Sequence, residues 1–350
     1  MKTYRFGIIG CGRISENHME SIKVLPGARL AAVCDINAEA LTKASRTYDC
    51  KGYTNYQEML ADSNIDVVNI CTESGLHARI AIDAIQAGKH VLVEKPMAMS
   101  LAEADRMIAA ARKVGVKLGV VHQNRFNKAI VKLRKAVEFE RFGKLTHAAA
   151  VVRWNRNDEY YSQAPWRGTW EQDGGCLMNQ SIHNIDLLQW MMGPVESLFA
   201  YTATNLRDIE GEDIGAVVLK FYNDALGIIE ATTTIYPTNL EETLSIFGSN
   251  GTACIGGIAV NKIEAWRFPG DNEAAILADQ GNEPPNVYGF GHADIIDDFM
   301  QAITEDREPA VSGEEGRKAL EIILAIYHSA KYKKEVTLPL KEQFTIGIGL

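Results

Sequence analysis

Along residues 4–121, short apolar runs alternate with stretches of helical periodicity, the pattern of a parallel sheet whose strands are joined by crossover helices. Residues 4–9, 30–34, 67–71, 90–94 and 117–121 read as strands, and residues 14–24, 38–47, 57–61, 77–87 and 101–113 read as helices. Gly27, Gly88 and Gly115 stand near the ends of three of these helices, where glycine closes a helix at no steric cost. Residues 1–121 are therefore expected to form one doubly wound α/β domain.

Beyond residue 122 the pattern changes. Residues 148–154, 216–221, 225–236, 242–248 and 252–255 read as longer strands without long helices between them, which predicts an antiparallel or mixed sheet. Turn residues at Tyr222-Asn-Asp-Ala-Leu and Gly248-Ser-Asn-Gly251 predict hairpins. Helical periodicity returns at 294–303 and 314–332, so residues 122–350 are expected to form a second, α+β domain. The Gly-, Pro- and Asn-rich stretch 269–291 is expected to be the most mobile loop.

Composition narrows the function. A chain of 350 residues, 46% apolar and 23% charged, is long enough for two packed cores and is neither fibrous nor unfolded. A net charge of -9 argues against nucleic-acid binding, which needs a dense basic surface, so an anionic substrate requires a local basic pocket. The cluster from Lys331 to Lys334 is short, is followed by Glu335, and reads as a solvated helix end rather than a membrane-binding patch. Cys11, Cys34, Cys50, Cys71, Cys176 and Cys254 are widely spaced, which predicts no metal site and fits reduced thiols in a cytoplasm better than a disulfide framework. There is no secretion signal and no apolar stretch of the roughly 18 residues needed to span a bilayer, so neither membrane insertion nor export is expected.

Gly10-Cys11-Gly12-Arg13-Ile14-Ser15 follows the first strand and opens a helix. Such a turn lets the backbone approach a pyrophosphate, whose charge meets the N–H groups at the helix start. Ser15 takes the place of a third glycine, so packing there must accept a larger side chain. Asp35 ends the second strand, where a carboxylate accepts hydrogen bonds from ribose hydroxyls and repels a 2′-phosphate; this favours NAD over NADP. The bland alternative is that Asp35 only caps the helix beginning near Ala38. Glu94-Lys95-Pro96 closes a strand on the carboxyl edge of the sheet, and Pro96 biases Lys95 toward extended backbone. A buried lysine beside a cationic nicotinamide would lose its proton more easily, as transfer from a hydroxyl requires.

The segment Gly174-Gly-Cys-Leu-Met-Asn179-Gln-Ser-Ile-His183-Asn-Ile-Asp186 is a second cluster. On one continuous helix, Asn179, His183 and Asp186 would share a face, with His183 as proton acceptor and Asn179 or Asp186 orienting its ring. A satisfied core histidine is the competing reading.

Taken together, the Gly10-Cys-Gly-Arg-Ile turn with His18, Cys71-Thr72 with His77, the Ala87 to Pro96 run, and the Gly174 to Asp186 segment resemble the glucose–fructose oxidoreductase and inositol dehydrogenase superfamily. The resemblance implies an amino-terminal Rossmann domain followed by an α+β domain with an open-faced, largely antiparallel sheet. It also implies hydride transfer to NAD with Lys95 and His183 as the catalytic pair and Asn179 beside them, and a homo-oligomer, dimeric or tetrameric. Cofactor contacts are expected from Gly10, Cys11, Gly12, Arg13, Ile14, Asp35, Thr72, His77, Glu94, Lys95, Gln123, Trp166 and Arg167. Within the superfamily, His122-Gln-Asn-Arg125-Phe126-Asn127, Val152-Arg153-Trp154, Gln163 to Trp170 and Leu177 to Asp186 resemble the UDP-N-acetylglucosaminuronate 3-dehydrogenases of bacterial surface-polysaccharide synthesis. Most superfamily members carry an aspartate four residues before the histidine, and here Asn179 stands in its place.

A UDP-sugar acid is doubly anionic, so its contacts are expected from Lys95, Arg125, Arg153, Arg156, Trp166, Asn179 and His183, with Arg167 adding charge nearby. Trp154, Trp166, Trp170, Tyr160 and Tyr161 offer faces for the sugar or uracil, with at least one tryptophan expected in the core. Arg125 reads equally well as half of a structural ion pair. Rival readings are a dehydrogenase of inositol or a free sugar, and a non-catalytic NAD-binding sugar sensor.

Overall fold

The structure, a computed structural model, describes residues 2–278, 284 and 287–341. In chain order the elements are β1 (Tyr4–Ile9), α1 (Ser15–Val24), β2 (Ala28–Cys34), α2 (Ala38–Thr47), β3 (Lys51–Tyr53), α3 (Tyr56–Leu60), β4 (Val67–Ile70), α4 (His77–Gln86), β5 (His90–Val93), α5 (Leu101–Val114) and β6 (Leu118–Val120). There follow α6 (Lys128–Glu138), β7 (Leu145–Arg153), α7 (Asp158–Ser162), α8 (Cys176–Asn179), α9 (Ile182–Met192), β8 (Val195–Ala203), β9 (Ile214–Phe221), β10 (Leu226–Thr232), β11 (Glu241–Gly248), β12 (Thr252–Gly256) and β13 (Lys262–Arg267). The chain closes with α10 (Glu273–Ala278), α11 (Gly291–Thr304), α12 (Gly313–Tyr332) and β14 (Val336–Thr337).

Two compact units result. The first comprises Met1–His122 and His292–Arg317. Its six strands run in the order β3-β2-β1-β4-β5-β6, all parallel, and the order reverses between β1 and β4. That reversal opens a crevice beyond the strand ends, which is where open parallel sheets bind ligands. Local signals set the helices. Asn37 and Asn55 cap α2 and α3, the Ser100 hydroxyl caps α5 by accepting the Glu103 N–H while donating to the Glu103 carboxylate, and Gly115 ends α5 at φ +81°. β3 was not legible as a strand, because its three residues, Lys51, Gly52 and Tyr53, lie on the sheet edge and form no apolar run.

Residues 292–317, which periodicity alone placed with the second domain, pack with the first unit. The backbone N–H of Val120 donates to the Val311 carbonyl at 3.0 Å, and Gly119 bridges to Ser312, so this return segment covers the β6 edge. Gly119 and Gly316 let it lie close: a Cβ on Gly119 would meet the Phe299 ring at 2.9 Å, and one on Gly316 would meet Val120 at 2.5 Å.

The second unit comprises Gln123–Gly291 and the chain from Lys318. Its eight strands run β13-β12-β11-β7-β10-β9-β8-β14, antiparallel except where β7 lies beside β10. The hairpins β9–β10 and β11–β12 turn at the two segments that predicted them. Alternation is clear on β9, where Gly215, Val217, Leu219 and Phe221 are buried and Ala216 and Val218 are exposed. α9 packs on the buried face, against β7 and β11. The amphipathic α6 was not anticipated, although Ala129, Ile130, Leu133 and Ala136 form its buried stripe. Nor were β8 and β13, and the strand expected to run to Tyr236 ends at Thr232. Of the stretch expected to be mobile, residues 273–278 are the helix α10, while 279–283, 285 and 286 lie outside the described residues.

A buried ion pair ties the short turn Gln123–Phe126 to α9. Arg125 donates through Nε and Nη2 to both oxygens of Asp186, at 2.7 and 2.6 Å, with the side chains 3% and 1% exposed. Trp190 lies against the guanidinium at 4.8 Å from the ring centroid. Replacing Arg125 with Met is expected to cost about 3–5 kcal/mol, because the buried carboxylate loses the fork that meets it; a lower urea midpoint measures the loss.

Candidate active site

In the first unit, the turn after β1 sits at the point where strand order reverses. Gly10 has φ +92°, and a Cβ there would stand 2.6 Å from the Cys71 carbonyl oxygen and 2.9 Å from the Thr72 nitrogen, so only glycine fits. Gly12 differs: a Cβ there would meet nothing within 4 Å. The start of α1 has no side-chain cap. Open space over Gly12 next to uncapped helical N–H groups fits a pyrophosphate. Ser15, fully buried in place of a third glycine, is accommodated by donating its hydroxyl to the Gly12 carbonyl at 2.6 Å.

Asp35 holds this turn. Its Oδ2 accepts the Cys11 N–H at 2.7 Å and its Oδ1 accepts the Asn37 N–H at 2.7 Å. Capping of α2 falls to Asn37, which accepts from Glu39 and Ala40, so the bland role considered for Asp35 belongs to its neighbour. Burial and the nearby Asp35 push the Cys11 thiol up to about 12, and it stays protonated.

At the ends of β4 and β5, one ring joins two further expected residues. The His77 imidazole lies with Nδ1 2.7 Å from the Pro96 carbonyl and Nε2 3.0 Å from the Thr72 carbonyl. Glu94 is buried, its Oε1 2.8 Å from His18 Nε2 and its Oε2 accepting the Lys95 backbone N–H at 3.2 Å. Burial alone would push this carboxyl up, but the His18 hydrogen bond, with His18, His292 and Lys95 close by, brings it down to about 2. Asn69 Nδ2 lies 2.9 Å from His18 Nδ1, so a neutral His18 carries its proton on Nε2 and donates it to Glu94. Sequence patterns mark His18 only as part of a motif and do not mark His292, which is remote in sequence; both are buried here.

In the second unit the expected single helix is broken. α8 ends at Asn179 and α9 begins at Ile182, so Asn179 and His183 lie on different helices, and Asp186 is bound to Arg125. Asn179 instead donates to the Asp173 carboxylate, whose other oxygen accepts the Gly168 N–H at 2.7 Å. A carboxylate thus stands one hydrogen bond behind Asn179.

Around Asn179 a polar network gathers several expected residues. Gln180 Nε2 donates to Asn179 Oδ1 at 2.6 Å and to the Tyr160 hydroxyl at 3.1 Å, and Gln180 Oε1 accepts from Arg156 Nε at 3.0 Å. Arg167 also donates to the Tyr160 hydroxyl, at 2.5 Å. The Arg156 guanidinium stacks on Trp154 and Tyr160, and that of Arg167 on Tyr160 and Trp166. Trp154 is buried, and Trp170 packs edge-on against Tyr327. Arg153 stands outside this network: Glu230 and Glu241 both bind its guanidinium, and Arg125 is likewise consumed by Asp186. Of the four arginines expected to meet an anionic substrate, Arg125 and Arg153 are thus held by carboxylates, while Arg156 and Arg167 bond to neutral partners. Gln123 donates to the Tyr288 carbonyl at 3.5 Å.

Two carboxyl groups are buried near these residues. Glu212 accepts the Leu177 N–H at 2.8 Å and the Tyr327 hydroxyl at 3.0 Å, and it makes Gly175 obligatory, since a Cβ there would lie 1.8 Å from Glu212 Oε2. Glu242 is 2% exposed. Burial pushes its carboxyl up to about 8, against the opposing pull of Arg156 and Asn184.

A family described as "Oxidoreductase family, NAD-binding Rossmann fold" matches residues 4–122, and "GFO/IDH/MocA C-terminal domain" matches residues 130–254. The WlbA dehydrogenase from Bordetella pertussis, solved in complex with NADH and UDP-GlcNAcA, is 42% identical with a TM-score of 0.91, covering 97% of this chain and 99% of its own. The WlbA enzyme from Chromobacterium violaceum, solved with the same two ligands, is 40% identical with a TM-score of 0.91, covering 98% of each chain. Myo-inositol 2-dehydrogenase of Thermotoga maritima is 29% identical over 95% of this chain and 98% of its own length. The first unit is an NAD-binding Rossmann domain. Among the described residues, no helix is long and apolar enough to cross a membrane.

Two substitutions at the turn separate folding from cofactor binding. Gly12→Ala is expected to melt within about 2 °C of wild type, a surface-like cost, yet to bind NADH at least about tenfold more weakly, since its methyl occupies the space a pyrophosphate needs. Gly10→Ala is expected to lose both stability and binding; paired thermal melts and NADH fluorescence titrations distinguish the two.

Glu242 makes a second prediction. Its folded proton affinity exceeds that of an unfolded glutamate, at 4.5, so its contribution to stability is complete below about pH 4.5 and is lost as pH rises through about 8. Glu242→Gln is therefore expected to lose less melting temperature than wild type between pH 6 and pH 9, as calorimetry at the two values would measure.

Proposed function

Because the chain belongs to the GFO/IDH/MocA family of NAD-dependent oxidoreductases, dehydrogenases that act on alcohol groups, we propose that its substrate is a UDP-N-acetylglucosaminuronic acid. The C3 hydroxyl is oxidised to the 3-keto sugar in making a precursor of a surface polysaccharide such as O-antigen. The observation that carries this reading is the 42% identity, over 97% of the chain, to a dehydrogenase solved with NADH and UDP-GlcNAcA. The stacked guanidinium groups of Arg156 and Arg167 support it, being suited to the carboxylate or diphosphate of such a sugar.

When bound, NAD accepts the hydride. The Gly10 to Ile14 turn holds its pyrophosphate and Asp35 its ribose. His183 takes the proton of the reacting hydroxyl, Lys95 polarises that hydroxyl, and Asn179, backed by Asp173, orients the sugar. Self-association into a dimer or tetramer is part of the same reading, supported by Tyr201, Val218, Leu226 and Ile228, which are 65%, 57%, 58% and 49% exposed on the sheet of the second unit. A second reading, oxidation of inositol or a free sugar, is favoured by the 29% identity to myo-inositol 2-dehydrogenase.

Initial rates of NADH formation decide between them. UDP-N-acetylglucosaminuronate is expected to exceed myo-inositol and free hexoses by at least about 100-fold in kcat/KM, a separation of some 2.7 kcal/mol; the reverse order selects the second reading. Lys95→Met is expected to lose about 10²–10⁴-fold in kcat with NADH affinity intact, and wild-type turnover in that variant refutes the role of Lys95.

A further inference from the structure

We infer that His18, Glu94 and His292 form a buried imidazole–carboxylate–imidazole group whose function is to position Lys95 and set its proton affinity. The inference rests on the reading that Lys95 serves the reacting hydroxyl. Three stretches far apart in sequence meet here: His18 from α1, Glu94 just after β5, and His292 from the first turn of α11. Their side chains are 0%, 7% and 5% exposed. His18 Nε2 lies 2.8 Å from Glu94 Oε1 and His292 Nε2 lies 4.0 Å from the same oxygen, while the two rings meet edge-to-face at 5.4 Å between centroids.

Packing alone does not explain a carboxylate at this position. Taking an ion out of water costs several kcal/mol even after relaxation, and an apolar group of equal volume would serve a core as well or better. The two oxygens of Glu94 also have separate tasks: Oε1 faces the imidazoles, and Oε2 takes the backbone N–H of Lys95. The charge is thereby fixed against the backbone of Lys95. A fixed negative charge favours the ammonium form, and a backbone pinned on its N–H side narrows the directions the side chain can take. Asn69 orients His18 from β4, and Cys71 and His77 also feel the charge of Glu94. Burial keeps the Cys71 thiol protonated, and burial pulls the His77 and His292 rings toward the neutral form, which leaves Glu94 as the negative charge beside Lys95.

The test uses the full chain and the sugar nucleotide that gives the highest turnover. Glu94→Gln, isosteric and uncharged, is expected to lower kcat about 10-fold or more, a size usual for partners that orient a reacting group, while the NADH dissociation constant stays within about threefold. The pH profile of kcat/KM is the decisive readout. Removing the charge lets Lys95 release its proton more readily, so the higher-pH limb is expected to move about one unit toward acid. His18→Gln, which can return a side-chain N–H to Glu94, is expected to retain most of the activity that His18→Leu loses. If Glu94→Gln does not fold, the His18 pair carries the same pH readout.

An unmoved pH profile, a fall in kcat matched by an equal fall in NADH affinity, or equal activity of the two His18 variants would overturn the positioning role. Dialysis against EDTA is expected to leave activity unchanged, and a loss restored by zinc would make the three residues metal ligands instead. Wild-type turnover in Lys95→Met would remove the premise itself, whereas an inactive Lys95→Met beside an unshifted Glu94→Gln overturns only this inference.

Discussion

A carboxylate buried away from water has to be met by donors from whatever surrounds it, and Glu94 is met from three sides. The imidazole of His18 reaches it from α1, the Lys95 amide from the turn after β5, and His292 stands by it from α11. Because α1 also begins at the cofactor turn, this one charge couples the start of that helix to the strand end that presents Lys95. The requirement that Glu94 be satisfied constrains the first unit more tightly than any apolar contact could, since hydrogen bonds are directional and apolar packing is not.

The parallel sheet supplies the setting for that charge. Right-handed crossovers place helices on both faces, and reversal of strand order between β1 and β4 leaves their carboxyl ends open. Gly10 brings the first turn within contact distance of Cys71 and Thr72, and the His77 ring lies between the carbonyls of Thr72 and Pro96, with one N–H to give in its neutral form. Consecutive strand ends are thus stitched together by side chains whose hydrogen-bonding capacity would otherwise be lost on burial.

The second unit handles charge differently. Arg125 and Arg153 are neutralised by carboxylates within the unit, while Arg156 and Arg167 stack on aromatic rings and bond to neutral partners. A guanidinium held by neutral partners keeps more of its positive potential than one neutralised by a carboxylate. The Asn179 amide, in turn, is held by the Asp173 carboxylate.

The pattern of short apolar runs determined the parallel sheet, its helices and their order, because each strand buried on both faces writes a continuous apolar segment into the chain. It also located the turn from Gly10 to Ser15, and Asp35 and Lys95 just beyond strand ends, since these depend on residues close together in sequence. Short edge elements such as β3 escaped, as their residues pay no toll of burial and so carry no apolar signature. Only the tertiary structure decided that Arg125 belongs to Asp186 and Arg153 to Glu230 and Glu241, that Asn179 and His183 lie on separate helices, and that residues 292–317 return to the first unit bringing His292 to Glu94. Each of these is a pairing between groups remote in sequence, and charge pairing is set by distance in space, which local periodicity does not encode.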